Sequence, residues 1–485
     1  MIELRSHQQK AVEKARNQPH LALFHEAGTG KTGTMIRILA EDYNGRKKLA
    51  NTLIFAPLTV CAQWPGEFSR FSKVPEDRIL CLTGSGIKRV RELLKARARG
   101  GNYIVITNFE AVQITEFYKE LLRWSPEILV LDESHRIKDS QSKRAKLIYP
   151  LAHAARRRFL LTGTPVVNSL TDVFGQFKAL NPNIFGGGFW SFRSKYFYDR
   201  NAGKQFSFPD WVPHTWASKE IGKVLSETSV QAKRSECLDL PPLSTIPVPY
   251  DIEGAQLKAY AEMKKEFMTE VDGQIMSSEF AMVKTLRMQQ ILAGFIQPDE
   301  KGEPVWFKEQ PRLKVLMDLL DSIGKEKSII WTTFKPTYKL IGDALEKEKI
   351  KHAFLTGEQT QAEKQSAIED FKSGSTQILV ANPAAASEGI NLQEAKYAIY
   401  FMRSWNLLHY LQSLARNYRS GTEALHDRVV HYQIYSRGTL DEVVAGALHH
   451  KKNVGDTVLR WSRGDNTLAN GIGPGYGLDQ EGVPK

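Results

Sequence analysis

Cysteine is scarce: Cys61, Cys81 and Cys237 are the only three in 485 residues, odd in number and widely spaced. That argues against a disulfide framework or a cysteine-based zinc site and fits a reducing cytoplasm. No run of about 18 apolar residues occurs, so neither a membrane span nor a membrane partner is expected. Met1-Ile2-Glu3-Leu4-Arg5 lacks the basic start and apolar core of a signal peptide. Acid is in deficit, with 54 Asp and Glu against 66 Lys and Arg, a net charge of +12.

The deficit is local. Residues 86–100 carry Lys88, Arg89, Arg91, Lys95, Arg97 and Arg99 against Glu92 alone, and 136–158 carry eight cations against Asp139. Clusters of this kind suit counterion release from nucleic-acid phosphates. The chain is too long for one core, so more than one domain is expected.

What is present is an alternation of short apolar runs with longer amphipathic segments. Leu21–Phe24, Thr52–Phe55, Ile79–Leu82, Tyr103–Thr107, Ile128–Leu131 and Phe159–Leu161 read as buried strands of a parallel α/β sheet. The first run leads into Glu26-Ala27-Gly28-Thr29-Gly30-Lys31-Thr32, which opens a helix near Lys31–Ala40. That is the setting a phosphate loop requires. Its glycines let backbone N–H groups converge on phosphate, Lys31 adds a charge for the outer phosphates, and the Thr32 hydroxyl suits Mg²⁺. His25 stands where the strict pattern has its first glycine.

Ile128–Leu131 ends in Asp132-Glu133-Ser134-His135, two carboxylates at a strand's carboxyl edge. Asp132 is expected to hold Mg²⁺, leaving Glu133 free to polarise a water. Thr162-Gly163-Thr164-Pro165 ends another strand, with two hydroxyls suited to sensing a γ-phosphate. Strands recur at Ser328–Thr332, His352–Leu355, Gln377–Ala381, Tyr397–Phe401 and Val429–Ile434, a second sheet without a phosphate loop. It is expected to contribute across a cleft. Arg416 and Arg419 are three apart on an expected helix, hence on one face, as arginine-finger candidates.

Together these motifs resemble the Swi/Snf-type DNA translocases of helicase superfamily two, in a minimal bacterial or phage form. Leu4-Arg5-Ser6-His7-Gln8 is similar to the family's adenine-reading element, which implies Gln8 as the reader. Leu53 to Thr59 with Trp64, Glu67 and Phe68, then Ile106 to Glu110, Asp132 to Lys138 and Thr162 to Asn168 resemble successive family motifs. In the DEGH-like segment, Ser134 replaces Gly or Ala and Asp139 replaces Asn. Ser387 to Leu392, Ser404-Trp405-Asn406 and the Q-xxx-R-xx-R pattern of Gln412, Arg416 and Arg419 complete the series.

The resemblance implies two RecA-like parallel-sheet lobes (a P-loop NTPase) with helical protrusions, covering about residues 2–450. Expected divisions are 1–240 as the ATP-binding lobe with a protrusion near 170–230, 241–310 as linker and second protrusion, 311–450 as the second lobe, and 451–485 as a flexible glycine-rich tail. ATP and Mg²⁺ are the implied cofactors. Glu26 to Thr32 and Gly389 would bind nucleotide, while His135, Thr162, Gly163, Thr164 and Gln412 would couple the site to motion. Thr59, Thr107, Asn391 and Trp405 would touch the nucleic-acid backbone.

Aromatics among Arg and Lys in 189–198 are open to two readings, stacking on bases or packing in a protrusion. The expected activity is ATP-driven movement along double-stranded DNA, which remodels DNA or protein–DNA complexes. The alternatives are a strand-separating or annealing DNA or RNA helicase and, from another class, an inactive DNA-binding scaffold. Protein partners from replication, recombination, transcription or defence complexes are compatible with it, in a bacterial cytoplasm or nucleoid or a phage-infected cell.

Overall fold

A computed structural model describes residues 3–203, 209–273, 278–297, 302–386 and 390–461. The chain divides into two compact units, the first formed mainly by residues 1–202 and 209–238, the second mainly by 239–450.

The first unit is built on a seven-stranded sheet in the order β3-β4-β2-β5-β6-β1-β7, parallel throughout. Its strands are β1 (His20–His25), β2 (Thr52–Ala56), β3 (Ile79–Cys81), β4 (Ile104–Asn108), β5 (Ile128–Asp132), β6 (Arg157–Leu161) and β7 (Ser229–Ala232). The apolar runs are continuous because both faces are covered. Leu53, Phe55, Leu129 and Leu131 enter one core cluster, while Ile54, Ala56, Ile128 and Val130 enter the other. That alternation is the pleat of a sheet buried on both sides. All six expected strands are present, and β7 is an addition beside β1.

The order brings β5, β6 and β1 together. Leu161 of β6 pairs with Asp132 on one side and with Leu23 on the other. The three strands therefore end side by side, and each ends in a segment marked for chemistry. Helix α1 (Ser6–Asn17) precedes β1, and α2 (Lys31–Arg46) follows the phosphate loop.

The second unit carries a six-stranded parallel sheet in the order β8-β13-β12-β9-β11-β10. Its strands are β8 (Leu243–Tyr250), β9 (Ser328–Trp331), β10 (His352–Leu355), β11 (Ile378–Ala381), β12 (Tyr397–Tyr400) and β13 (Val429–Ser436). Ile330, Val380 and Ile399 face one cluster, and Ile329, Leu379 and Ala398 face the other. The helix Pro311–Ile323 buries Leu316 and Leu320.

Leu243–Tyr250, expected within a linker, is the edge strand β8, registered along its whole length with Val429–Ser436. Pro247 and Pro249 disguise it, yet proline is tolerated where a strand's N–H groups face no partner. The terminal helix Leu440–Trp461 occupies the start of the expected tail, whose glycines at 471, 473, 475 and 477 lie outside the described residues.

Candidate active site

The phosphate loop leaves β1 and turns through two glycines in the left-handed region, Gly28 at φ 86° and Gly30 at φ 85°. Only glycine enters that region without strain. Gly30 is also the N-cap of α2, so the loop's N–H groups converge at a helix N-terminus, a ready anion site. Lys31 Nζ donates to the His25 carbonyl at 2.9 Å, folding the ammonium back along the loop.

Two residues of α1 brace this loop. Gln8 Nε2 donates to the Gly30 carbonyl at 3.3 Å, and Gln8 Oε1 accepts the Arg5 N–H at 2.9 Å. A Cβ on Gly30 would stand 2.6 Å from Gln8 Nε2, so glycine is needed there for closeness as well as conformation. His7 Nε2 lies 2.9 Å from the Thr29 carbonyl. The fully buried His25 ring meets His7 edge-on at 5.4 Å. Glu26 is held from β7's side, where the Arg234 N–H and Nε reach Glu26 Oε2 at 3.0 and 3.3 Å.

Asp132 ends β5 and is buried, with the Trp64 indole N–H donating to its Oδ2 at 3.1 Å. Burial first, and then the charge of Glu133, pushes the Asp132 carboxyl up to about 7. A carboxylate so placed favours a cation at its free oxygen. Glu133 follows in the left-handed region at φ 56°, which turns its side chain off the strand line. Burial would raise its pKa, but the hydrogen bond from His135, the charge of Lys31 and the Thr162 hydroxyl outweigh it and hold it near 2. The two neighbouring carboxyls are thus driven apart.

Glu133, His135 and Thr162 close a triangle. The Thr162 hydroxyl donates to Glu133 Oε2 at 3.3 Å, and His135 Nδ1 lies 3.1 Å from that hydroxyl and 3.3 Å from Glu133 Oε2. The Thr164 N–H donates back to Thr162 Oγ1 at 3.1 Å. A Cβ on Gly163 would come within 3.2 Å of Glu26 Cα and the His25 carbonyl, so this turn lies directly on the phosphate loop. Beneath it, the buried Gln176 joins Ser134 to the Pro165 carbonyl at 2.8 and 2.7 Å. Gln8, Glu26 to Thr32, Asp132, Glu133, His135 and Thr162 to Thr164 thus all belong to one corner of the first unit.

Gln176 and Arg89 carry no motif that marks them as positioning residues, and Trp64 is marked only by its place in a motif. The W-x-x-E-F spacing is the one signal that could have found the tryptophan.

Thr107, expected to touch the nucleic-acid backbone, is fully buried on β4; its hydroxyl donates to the Leu82 carbonyl at 2.8 Å and accepts from Arg89. Arg89, one of the clustered cations of 86–100, is buried too, and donates to Asn108 Oδ1 at 2.8 Å. Thr59 lies half-buried in the short helix Leu58–Cys61 at the end of β2.

In the second unit, the helix bearing the Q-xxx-R-xx-R pattern spans Leu407–Asn417. It ends before Arg419, so the two arginines do not share a helical face as expected. They meet by another route. Arg416 Nη1 donates to the Ile390 carbonyl at 2.9 Å, and Arg419 donates to Asn391 Oδ1. The Gln412 carbonyl accepts Arg416 Nε at 2.9 Å. Trp405 is half-buried against Leu407, Val444 and Leu448. Gly389 lies outside the described residues.

Oxygen donors from Thr32 and Asp132 suit Mg²⁺. Among the described residues no group of three His, Cys, Asp or Glu side chains could hold a metal by itself. Mg²⁺ commonly binds through one or two protein oxygens together with substrate phosphates, so this donor set fits it.

A family model described as the SNF2-related domain matches residues 7–303, and one described as the helicase conserved C-terminal domain matches 311–421. Putative protein p41 of Acyrthosiphon pisum secondary endosymbiont phage 1 is 25% identical over 446 residues, 89% of this chain and 92% of that protein. An uncharacterized ATP-dependent helicase of Mycoplasma genitalium is 24% identical over 470 residues, 93% of this chain but only 42% of that protein. The solved SWI2/SNF2 ATPase core of Sulfolobus solfataricus in complex with dsDNA aligns over 96% of this chain and 95% of that one, at 24% identity and a TM-score of 0.42. That score is too low to carry an argument about shape. The first family match covers more than half of the 485 residues, and beside the phosphate loop and its paired carboxylates it makes this chain a member of the SNF2-related helicase family, a nucleic-acid-dependent ATPase.

Proposed function

We propose that the chain is a motor that hydrolyses ATP·Mg²⁺ to move along double-stranded DNA and thereby remodels DNA or protein–DNA complexes. The observation that carries the reading is the Glu133–His135–Thr162 triangle, set against the phosphate loop through Gly163. A site that only bound nucleotide would have no use for hydroxyls linking its base to the loop. The net charge of +12 supports a polyanionic track.

In this reading the Gly28–Lys31 N–H groups and the Lys31 ammonium cradle the phosphates, and Gln8 reads adenine. Its amide keeps a second N–H and a second lone pair beyond those already used. Thr32 and Asp132 hold Mg²⁺, which supplies charge neutralisation at the phosphates when bound. Glu133, kept ionised, accepts a proton from the attacking water. Thr162 sits between Glu133 and the Thr164 N–H, so a change at the γ-phosphate is passed into the Thr162–Pro165 turn and on through Gln176. Arg416 and Arg419 act as arginine fingers, and their tie to Ile390–Asn391 would couple phosphate to the segment proposed to touch DNA. Thr59, Asn391 and Trp405 remain proposed contacts, and Gly389 a proposed nucleotide contact.

The test is ATP turnover with blunt duplex DNA, single strands and RNA, alongside displacement of a third strand from a triplex and of one strand from a duplex. Duplex-stimulated turnover with triplex displacement is expected. Stronger stimulation by single strands with efficient duplex unwinding would favour the strand-separating alternative. Arg416→Ala should lower turnover on the order of 10³-fold, as loss of an arginine finger does.

A further inference from the structure

Among the described residues, the aromatics of 189–203 and 209–216 divide in two. Phe189, Phe192, Tyr196 and Phe197 pack into or against the first unit's core, while Tyr198, Trp216 and Trp190 are 44%, 43% and 63% exposed. Three rings continue outward from the buried Tyr196. Trp216 lies 5.6 Å from Tyr196, His214 stacks on Trp216 at 5.5 Å and 10°, and Tyr198 follows at 5.2 Å from His214. The result is a four-ring column, anchored at one end and open at the other.

The column is preformed. Tyr196 donates from its hydroxyl to Glu220 at 2.9 Å, and the Phe197–Asp199 and Trp211–Pro213 strands pair antiparallel to fix Tyr198 beside His214. Below the hairpin, the Arg193 guanidinium is clamped between Trp190 and Trp211, 4.2 and 3.9 Å from their ring centres. Exposed rings held rigidly lose little entropy when a flat partner joins them.

Charge indicates which flat partner. Lys219 and Lys223 follow Trp216 at the i+3 and i+7 positions of the helix Ala217–Thr228, one face of that helix, and both are exposed. Neither has a carboxylate partner among the described residues, whereas Lys195 and Arg200 beside them are paired with Glu220 and Asp210. The two lysines are separated by about 6 Å along the axis. Tyr198 stands two ring steps, 5.2 and 5.5 Å, from the Trp216 that starts this helix, so one column carries a π face at its end and two cations beyond its base, the base-and-phosphate pairing used by single-strand binders.

We propose that this column stacks an unpaired base of a DNA strand on Tyr198, with Lys219 and Lys223 holding the adjoining phosphates. The motor's substrate is then duplex DNA bearing a single-stranded element, such as a gap, flap or fork. The proposal rests on the reading of the chain as a DNA-dependent motor and narrows its substrate. A base inside a duplex offers no free face, so blunt DNA bypasses the column.

The test measures binding of the full chain to a fluorescent 20-nucleotide oligothymidylate and to a blunt duplex, with ATP turnover on blunt and gapped duplexes. Tyr198→Ala should weaken oligothymidylate binding on the order of tenfold, the scale of one lost stacking contact, with blunt-duplex binding unchanged. Tyr198→Phe should restore it, which a merely structural role for the hydroxyl would not allow. The double variant Lys219→Gln/Lys223→Gln should flatten the salt dependence of oligothymidylate binding. Equal affinity of Tyr198→Ala and the unaltered protein for the oligonucleotide, or an equal loss on blunt duplex, overturns the proposal and leaves the face to a protein partner. Failure of the motor reading is distinguishable, since the unaltered protein would then show no DNA-stimulated turnover on any substrate.

Discussion

The two units share one architecture, a parallel sheet covered on both faces, and use it differently. In the first, the ends of β1, β5 and β6 carry glycines in the left-handed region, paired carboxylates and linked hydroxyls. In the second, the corresponding polar investment is structural. Arg312 is buried at 2% exposure, donates from Nε to the Tyr250 hydroxyl at 2.8 Å and pairs with Asp441, tying β8, the helix Pro311–Ile323 and the terminal helix together. Buried charge is costly in either place. The first unit leaves that cost partly unmet at Asp132, while the second satisfies it internally. Unmet charge marks the site that awaits a ligand.

The comparison can be broken most sharply at the first unit. Lys31→Ala or Glu133→Gln should abolish ATP turnover, a loss of at least about 10²-fold for the proton acceptor, while DNA binding measured by anisotropy survives. Retained turnover in either variant would refute the site assignment. At the second unit, Asp441→Ala strands a buried guanidinium and should cost about 3–5 kcal/mol. Urea unfolding should show that loss in the transition of the second unit; a loss confined to the first would contradict the division drawn above.

A smaller effect follows from His25. Burial, the charge of Lys31 and the neighbouring His7 lower its pKa to about 3 from the usual 6.5. The unfolded chain therefore binds a proton below pH 6.5 that the folded chain does not. The stability contributed is present above pH 6.5 and is lost as the pH falls toward 3. His25→Phe should remove that slope, recovering about 2 kcal/mol at pH 5 and nothing at pH 8. Parallel acid-unfolding curves for the two proteins would count against a neutral buried imidazole. The least effect is expected from Thr107→Val, which removes a hydrogen bond worth about 1 kcal/mol and should leave DNA affinity unaltered. A salt-dependent loss of DNA affinity would show Thr107 to be a contact.

Much of the first unit was legible because its signals are local. Apolar runs doubly buried in a parallel sheet contain no polar interruptions, so six strands could be read directly. Two strands of the large sheets that escaped, β7 and β8, lack that signature. Ser229–Ala232 is half polar, and Leu243–Tyr250 carries two prolines at a sheet edge. The partners of Thr107 were not legible either, because a neighbouring helix supplies Arg89 to its hydroxyl from 18 residues away. The arginine pair shows the same limit, since its spacing suggested a helical face while a helix stop at Asn417 and the Ile390–Asn391 segment brought the side chains together.

By itself the sequence determined the chemistry: a phosphate loop after a strand, two carboxylates at another strand's end, and an excess of clustered base over acid. Covalent spacing and side-chain type suffice for these, because each is confined to a few consecutive residues. Only the tertiary structure decided which groups act together. Strand order set β5, β6 and β1 side by side, packing set Gly163 on the loop, and the His135 and Thr162 contacts to Glu133 alone set its acidity apart from that of Asp132. Long-range neighbours and the local dielectric arise from how the sheet is threaded and covered, and no short stretch of sequence encodes them.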